Sequence, residues 1–270
     1  MYRIKAKLSP ANRLVAFKEV FEGTKNGFLN LVNNISPEMH GRFSFGTIYG
    51  GEMRMQPERA LSFIKGGFWN FSTLDRDLMF ELYRGIASNR EFAFGMYIDS
   101  VEDVKYNFVD GVNFVASHPG IVLRKFASEG GVEHLTMLEN DDDFLDGLQA
   151  QLREKVRAVA PDLNWQEIYI NPVEGEIYKR KSAYVEGAYH IFNEGILAVD
   201  ADKPVMDVIS HIGIGDLGYL GFGHVAQVYD PRGRRTNQRD LRSNEIMRTS
   251  EGYLRGERMG EYGHQSHNDY

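Results

Sequence analysis

The sequence of 270 residues contains no cysteine. Disulfide bonds and thiolate metal sites are therefore excluded, which fits a reducing compartment. No stretch approaches the roughly 18 consecutive apolar residues that a membrane-spanning helix needs. Residues 1–8 alternate charged and apolar side chains, unlike the apolar core of a secretory signal peptide. We expect a cytoplasmic protein with no membrane partner.

Positive charge is also in the minority, because 31 Lys and Arg against 38 Asp and Glu give a formal net charge of −7. This balance argues against a protein that coats nucleic acid indiscriminately, since phosphate contacts supply most non-specific affinity. RNA binding through a local basic cluster stays open. The length fits one large domain or two of ordinary size.

Glycine is concentrated in one stretch, residues 211–225, with the sequence HIGIGDLGYLGFGHV. Its two Gly-apolar-Gly pairs are Gly213 with Gly215 and Gly221 with Gly223. Glycine loses more chain entropy on folding than other residues, and it is used where the backbone takes positive φ or approaches a ligand closely. Bare amides in such a loop favour phosphate.

Three interpretations of this loop are open. Residues 213–218 match the dinucleotide pattern GxGxxG, but a helix should follow the glycines, whereas the next segment alternates like a strand. The glycines could instead serve only a tight turn and close packing. The third interpretation is a loop that holds an RNA backbone.

Hydrophobic patterning predicts an α+β fold with two tandem ferredoxin-like (RRM-like) domains and a C-terminal polar extension. The predicted domains span residues 1–110 and 111–229, with the extension at 230–270. In the first domain we expect strands at residues 2–8, 42–49, 52–56, 60–65, 67–73 and 92–98, and helices at 17–34 and from Thr73, as its N-cap, to 87. In the second we expect strands at 112–125, 133–138, 165–173, 183–192 and 223–228, and helices from 141 and at 202–211.

The extension has few large apolar residues and cannot bury enough surface to fold alone. It carries no lysine and eight arginines: Arg232, Arg234, Arg235, Arg239, Arg242, Arg248, Arg255 and Arg258. Arginine grips phosphate with two parallel hydrogen bonds, so this segment is a candidate RNA-binding tail. A solvated extension of mixed charge is the alternative, since seven acidic residues are interspersed.

The loop at residues 213–223, placed just before the last strand of a second ferredoxin-like domain, resembles the glycine-rich loop of RAMP proteins. In particular it is similar to that of the CRISPR repeat-processing endoribonucleases, the Cas six family. Further segments follow the same order along residues 1–228: FSF at 43–45, GFWNFST at 67–73, SHPGIV at 117–122 and AYHIF at 188–192.

The resemblance implies an endoribonuclease that cleaves CRISPR repeat RNA without a metal or other cofactor. The substrate's 2′-hydroxyl is the nucleophile, and the product ends in a cyclic phosphate. By position, His40 is then the general acid or base and Arg42 a charge stabiliser. The implied RNA-binding residues are Gly213, Gly215, Gly221, Gly223, His190 and His224. The resemblance leaves the tail out, so its candidate RNA-binding residues, Arg232, Arg234 and Arg235, rest on the arginine content of the tail alone. CRISPR repeat RNA is the expected partner, together with other CRISPR effector-complex subunits, in antiviral defence.

A second hypothesis is a non-catalytic RAMP-like protein that binds RNA or serves as a structural subunit of an assembly. Many family members place a tyrosine in the first helix, where this chain has Phe28-Leu29-Asn30. Asp216 stands in the glycine loop where a basic residue is common in the family.

Overall fold

The computed structural model of the protein describes residues 1–228 apart from residues 12, 33–34, 55–58, 127–130 and 140. The predicted polar extension lies outside the described residues, and so do its candidate RNA-binding residues Arg232, Arg234 and Arg235.

The first half of the chain builds a four-stranded antiparallel sheet with two helices. Its elements are β1 (Tyr2–Leu8), α1 (Val20–Leu31), β3 (Phe43–Phe45), β6 (Gly67–Thr73), α2 (Arg76–Ser88) and β7 (Ile98–Asp103). The strand order is β3-β6-β1-β7. A three-stranded sheet of β2 (Leu14–Ala16), β5 (Ala60–Ser62) and β4 (Glu52–Arg54) is inserted beside it.

The second half repeats this plan. Its elements are β8 (Gly111–His118), α3 (Asp141–Val159), β11 (Tyr169–Pro172), β14 (Ile196–Ala201), α4 (Lys203–Ile212) and β15 (His224–Val228). The strand order is β11-β14-β8-β15. Two hairpins are inserted: β9 (Arg124–Phe126) with β10 (Val132–His134), and β12 (Lys179–Val185) with β13 (Ala188–Glu194).

Both halves therefore follow the order βαββαβ, with the first strand of each in the centre of its sheet. This confirms the predicted α+β fold with tandem ferredoxin-like domains. The first sheet's last strand ends at Asp103, and the second sheet's first strand begins at Gly111.

Side chains along β1 point alternately to the two faces of the first sheet, and each face packs against a different part of the protein. Ile4, Ala6 and Leu8 are fully buried in the core beneath α1 and α2, as the period-two pattern requires. Arg3 lies on the opposite face of this sheet, and so do Ser44 of β3 and Ser72 of β6, which contact α4 of the second domain. The second domain thus covers the back of the first sheet.

Several local predictions were wrong. The strand expected at residues 92–98 begins only at Ile98, as β7, and the one expected at 112–125 is divided into β8 and β9. The N-cap of α2 is Asp75, whose carboxylate accepts hydrogen bonds from the N–H groups of Asp77 and Leu78. Thr73 instead ends β6, because it pairs with Tyr2 on one side and Phe43 on the other.

The segment predicted as one strand at 183–192 is a hairpin that turns at Glu186 and Gly187. Both turn residues have positive φ, 52° and 79°, as a tight two-residue hairpin turn requires. Glutamate is not a usual residue for that conformation, and Gly187 alone did not mark a turn within an alternating segment. The strand β14, at the centre of the second sheet, was missed.

Candidate functional site

His40 lies between a 3₁₀ turn, Pro37–Met39, and strand β3 of the first domain. It is partly exposed. A Cβ placed on the next residue, Gly41, would meet no atom within 4 Å, so the chain beside His40 is uncrowded. The candidate general acid or base is therefore accessible.

The imidazole of His40 stacks on the phenol ring of Tyr219, with ring centroids 4.3 Å apart and an interplanar angle of 8°. Tyr219 belongs to the glycine loop of the second domain. The structure thus brings the predicted catalytic histidine and the loop together, through a residue that the sequence analysis did not name.

Burial lowers the pKa of His40 below its usual 6.5, and the nearby carboxylate of Glu186 opposes this shift. The lowered pKa leaves the imidazole mostly neutral at pH 7, when it can accept a proton. Glu186 sits at the tip of the β12–β13 hairpin and also forms an ion pair with Lys25 of α1 at 2.5 Å.

Arg42, the predicted charge stabiliser, has an exposed side chain. Its backbone is fixed, because its carbonyl accepts hydrogen bonds from the Thr73 hydroxyl and the Leu74 N–H. A long cationic side chain on a fixed backbone two residues beyond His40 can reach a phosphate placed beside the imidazole.

The four glycines of the two Gly-apolar-Gly pairs all have positive φ, between 73° and 92°. At Gly223 a Cβ would lie 1.9 Å from the carbonyl oxygen of Ile214, and at Gly213 it would lie 2.9 Å from the Cβ of Ser44. At Gly221 it would lie 2.9 Å from the Phe45 ring. Close packing, partly against β3 of the first domain, therefore accounts for these glycines.

Several amides of the loop donate to protein backbone. Gly213 donates to the carbonyl of Ile209, Gly221 to that of Gly218, and Gly223 to that of Gly120. These donors are used within the protein, so a phosphate at this loop would need other groups. The RNA-binding role of the glycines stays a prediction.

A basic residue does reach the loop, from outside its sequence. Lys155 of α3 is buried and donates from Nζ to the carbonyls of Ile212, Gly213 and Gly215 at 3.1–3.2 Å. Burial lowers its pKa to about 8, against a smaller opposing effect of Asp216. Asp216 itself accepts hydrogen bonds from the Arg124 N–H and the Gln151 amide, so its unexpected carboxylate serves the packing of the loop.

His224, predicted to bind RNA, is 1% exposed and lies inside the interface between the domains. Its Nδ1 is 3.1 Å from the Ser44 hydroxyl, and the backbone carbonyl of neighbouring His211 accepts from the hydroxyls of Ser44 and Ser72. Burial, reinforced by Arg3, lowers the pKa of His224 to about 3 and that of His211 to about 4. Its side chain has no surface open to RNA in this structure.

His190, the other predicted RNA-binding histidine, is 9% exposed on β13. Its ring meets Phe222 of the glycine loop edge-on at 6.0 Å, and it meets His134 in the same way at 6.0 Å. It therefore lies against the loop, on one strand of the hairpin whose tip carries Glu186.

A cleft of about 720 Å³ runs beside this hairpin. It lies between the residues at the start of α1 and the hairpin, and Glu186 is part of its lining. Tyr184 and Tyr189 line it with exposed rings whose centroids are 5.0 Å apart, and Tyr189 is 73% exposed. The charged lining residues are of both signs, Arg13 and Lys18 with Glu19 and Glu22. Exposed aromatic rings are typical of sites that stack nucleobases.

The sequence and the fold of this chain were compared with those of known proteins. Residues 105–227 match the family "CRISPR associated protein Cas6, C-terminal". This segment is therefore similar to the C-terminal domain of Cas6 proteins. The resemblance to the Cas six family, and with it to the RAMP proteins, is confirmed.

Solved structures of Cas6 and RAMP proteins share the whole fold. A Cas6-related protein from Pyrococcus furiosus is 20% identical, with a TM-score of 0.72 over 85% of this chain and 99% of its own. A RAMP protein described as binding different RNA substrates is 19% identical, with a TM-score of 0.71 over 85% and 100%. A CRISPR associated protein Cas6 is 14% identical, with a TM-score of 0.69 over 84% and 99%. No curated protein matches the sequence.

Within the described part of the chain, no group of three or more His, Asp or Glu side chains is arranged to hold a metal ion. The described helices include none that is long and apolar enough to span a membrane.

Proposed function

We propose that this protein binds CRISPR repeat RNA and cleaves it without a metal ion, using the 2′-hydroxyl of the substrate as the nucleophile. His40 exchanges the proton at the reacting oxygen, and Arg42 stabilises the charge on the phosphorane. The observation that carries the proposal is the partly exposed His40, whose lowered pKa suits a proton acceptor and which stacks on the glycine loop.

The cleft along the β12–β13 hairpin suits single-stranded RNA next to the scissile phosphate. Glu186 links the two places, since it lines the cleft and its charge acts on His40. The cleft's exposed tyrosines, Tyr184 and Tyr189, favour bases by stacking, which does not depend on the net charge of the protein.

The test is cleavage of repeat RNA in excess EDTA, with the product end analysed for a cyclic phosphate. We expect His40→Ala to slow cleavage by about 10² to 10⁴-fold, as loss of a general acid or base does. His134→Ala is the matched control, because it removes another partly exposed imidazole and should leave the rate near that of the unmodified protein. Equal cutting by His40→Ala would remove His40 from the mechanism.

One observation favours a second candidate, an RNA-binding or structural subunit without catalysis. Phe28, at the first-helix position where many relatives have a tyrosine, is 1% exposed and packed among four other aromatic rings. That region therefore offers no hydroxyl to the reaction. Tight, salt-sensitive binding of repeat RNA with no cleavage would favour this candidate.

A further inference from the structure

Tyr219 is held in an unusual backbone arrangement. It is the middle residue of the 3₁₀ turn Gly218–Leu220, which is flanked on both sides by left-handed residues, Leu217 with φ 61° and Gly221 with φ 92°. A leucine in that conformation is strained and persists only where the surroundings enforce it. Here the surroundings do so, because the Leu217 and Leu220 side chains are 4% and 2% exposed.

The turn is also locked to the strand that follows His40. Gly221 packs on the Phe45 ring of β3, and Gly218 approaches the carbonyl of Phe43. The loop and the histidine segment therefore share one rigid support, although they belong to different domains. The only ring that this loop presents to His40 is that of Tyr219, stacked at 4.3 Å.

We propose that Tyr219 is a positioning residue, whose ring orients the His40 imidazole for proton transfer. This inference rests on the proposed cleavage function. It also gives the glycine loop a role other than binding phosphate through its amides. The glycines allow the loop to fold so that one aromatic ring, that of Tyr219, is held against His40. Stacking needs the ring face and not the phenol hydroxyl, because offset aromatic pairs are stabilised by their ring faces and edges.

Two variants separate the ring from the hydroxyl. Tyr219→Phe keeps the stacking face, and Tyr219→Leu removes it while keeping an apolar side chain at that position. We expect Tyr219→Phe to cleave within about threefold of the unmodified protein. Tyr219→Leu should lose roughly tenfold or more in the single-turnover rate at saturating RNA, as a misplaced reacting group does, with RNA affinity changed less than about threefold.

The stack itself is measured without RNA. The His40 ring protons should show an upfield ring-current shift in NMR spectra of the unmodified protein and of Tyr219→Phe, and should lose it in Tyr219→Leu. Unchanged amide resonances in the sheets would establish that Tyr219→Leu is folded. The absence of the shift in the unmodified protein would overturn the inference.

Kinetics supply the other decisive outcomes. Equal loss in Tyr219→Phe and Tyr219→Leu would assign the effect to the hydroxyl and overturn the positioning role. A loss confined to RNA affinity would make Tyr219 a binding residue and also overturn it. If the unmodified protein binds but never cleaves, the proposed function fails and the positioning role fails with it, whereas the NMR shift still reports whether the rings stack.

Discussion

Acid should weaken the interface between the two domains through its buried histidines. The side chains of His211 and His224 are 7% and 1% exposed, and the neighbouring guanidinium of Arg3 makes a further positive charge unfavourable there. The other ionisable groups facing them are Asp207, which lies on α4 beside His211, and His118, which pairs with His224 across the sheet.

The magnitude follows from linkage. The pKa is about 4 for His211 and about 3 for His224 in the folded protein, against about 6.5 in an unfolded chain. Below pH 6.5 the unfolded state binds protons that the folded state does not, so folding stability falls as the pH falls. Each histidine removes about 1.4 kcal/mol per pH unit, or about 2 kcal/mol between pH 7.5 and pH 5. The sum for both, about 4 kcal/mol, is a large part of a typical stability of 5–15 kcal/mol.

The assay is urea unfolding at pH 7.5 and pH 5, followed by the fluorescence of the fully buried Trp69. The variant is His224→Asn, whose amide places a polar atom near the position of Nδ1 and can keep the contact with Ser44. His224→Asn should be less stable than the unmodified protein at both pH values, because packing is lost. The loss between pH 7.5 and pH 5 should nevertheless shrink by about 2 kcal/mol.

Ser72→Ala is the matched control. It removes a hydroxyl that donates to the carbonyls of Ser210 and His211 in the same interface but removes no titrating group. We expect it to lower stability by the same amount at both pH values. If His224→Asn keeps the full pH dependence of the unmodified protein, the protons are taken up elsewhere and the reasoning is refuted.

Two further predictions concern the glycine loop and the cleft. Lys155→Met should lower the free energy of unfolding by about 2–4 kcal/mol, because three buried carbonyls lose their donor. Thermal or urea unfolding measures this change. The control is Lys7→Met, on an exposed side of β1, which should have little effect. Tyr189→Ala should weaken the binding of single-stranded repeat RNA by about 1–3 kcal/mol if a base stacks there, with no change in unfolding; unaltered affinity in a filter-binding titration would place the RNA elsewhere.

The fold was readable from the sequence where burial is periodic. Alternating apolar residues identified β1, the first strand of the first domain. An apolar stripe identified α3 of the second domain, where Phe144, Leu148 and Leu152 are buried. The order of such elements was enough to predict tandem ferredoxin-like units. The hairpin turn at Glu186 and the strand β14 escaped, because neither has a distinctive local pattern.

The site was only partly predictable, because its contacts join segments that are far apart in sequence. The position of His40 was suggested by family resemblance, but nothing in the sequence indicates that Tyr219 lies against it, 179 positions later. Lys155 likewise reaches the loop from a helix whose sequence carries only an amphipathic stripe. Sequence patterns report local periodicity, whereas these contacts depend on how two domains pack.

The two parts of the candidate site, His40 and Tyr219, are held together by the interface between the two domains. His40 belongs to the first domain and Tyr219 to the second, and the same packing of the second domain on the first sheet buries His211 and His224. If the proposed cleavage function holds, acid should have two effects on the rate, since it protonates His40 and also weakens the contact that holds Tyr219 against it. The two are separable in the His224→Asn variant, in which the interface responds less to acid while His40 titrates as before. If the cleavage rate decreases equally in both proteins as the pH is lowered, the decrease is due to His40 alone. A smaller decrease in the variant shows that weakening of the interface contributes.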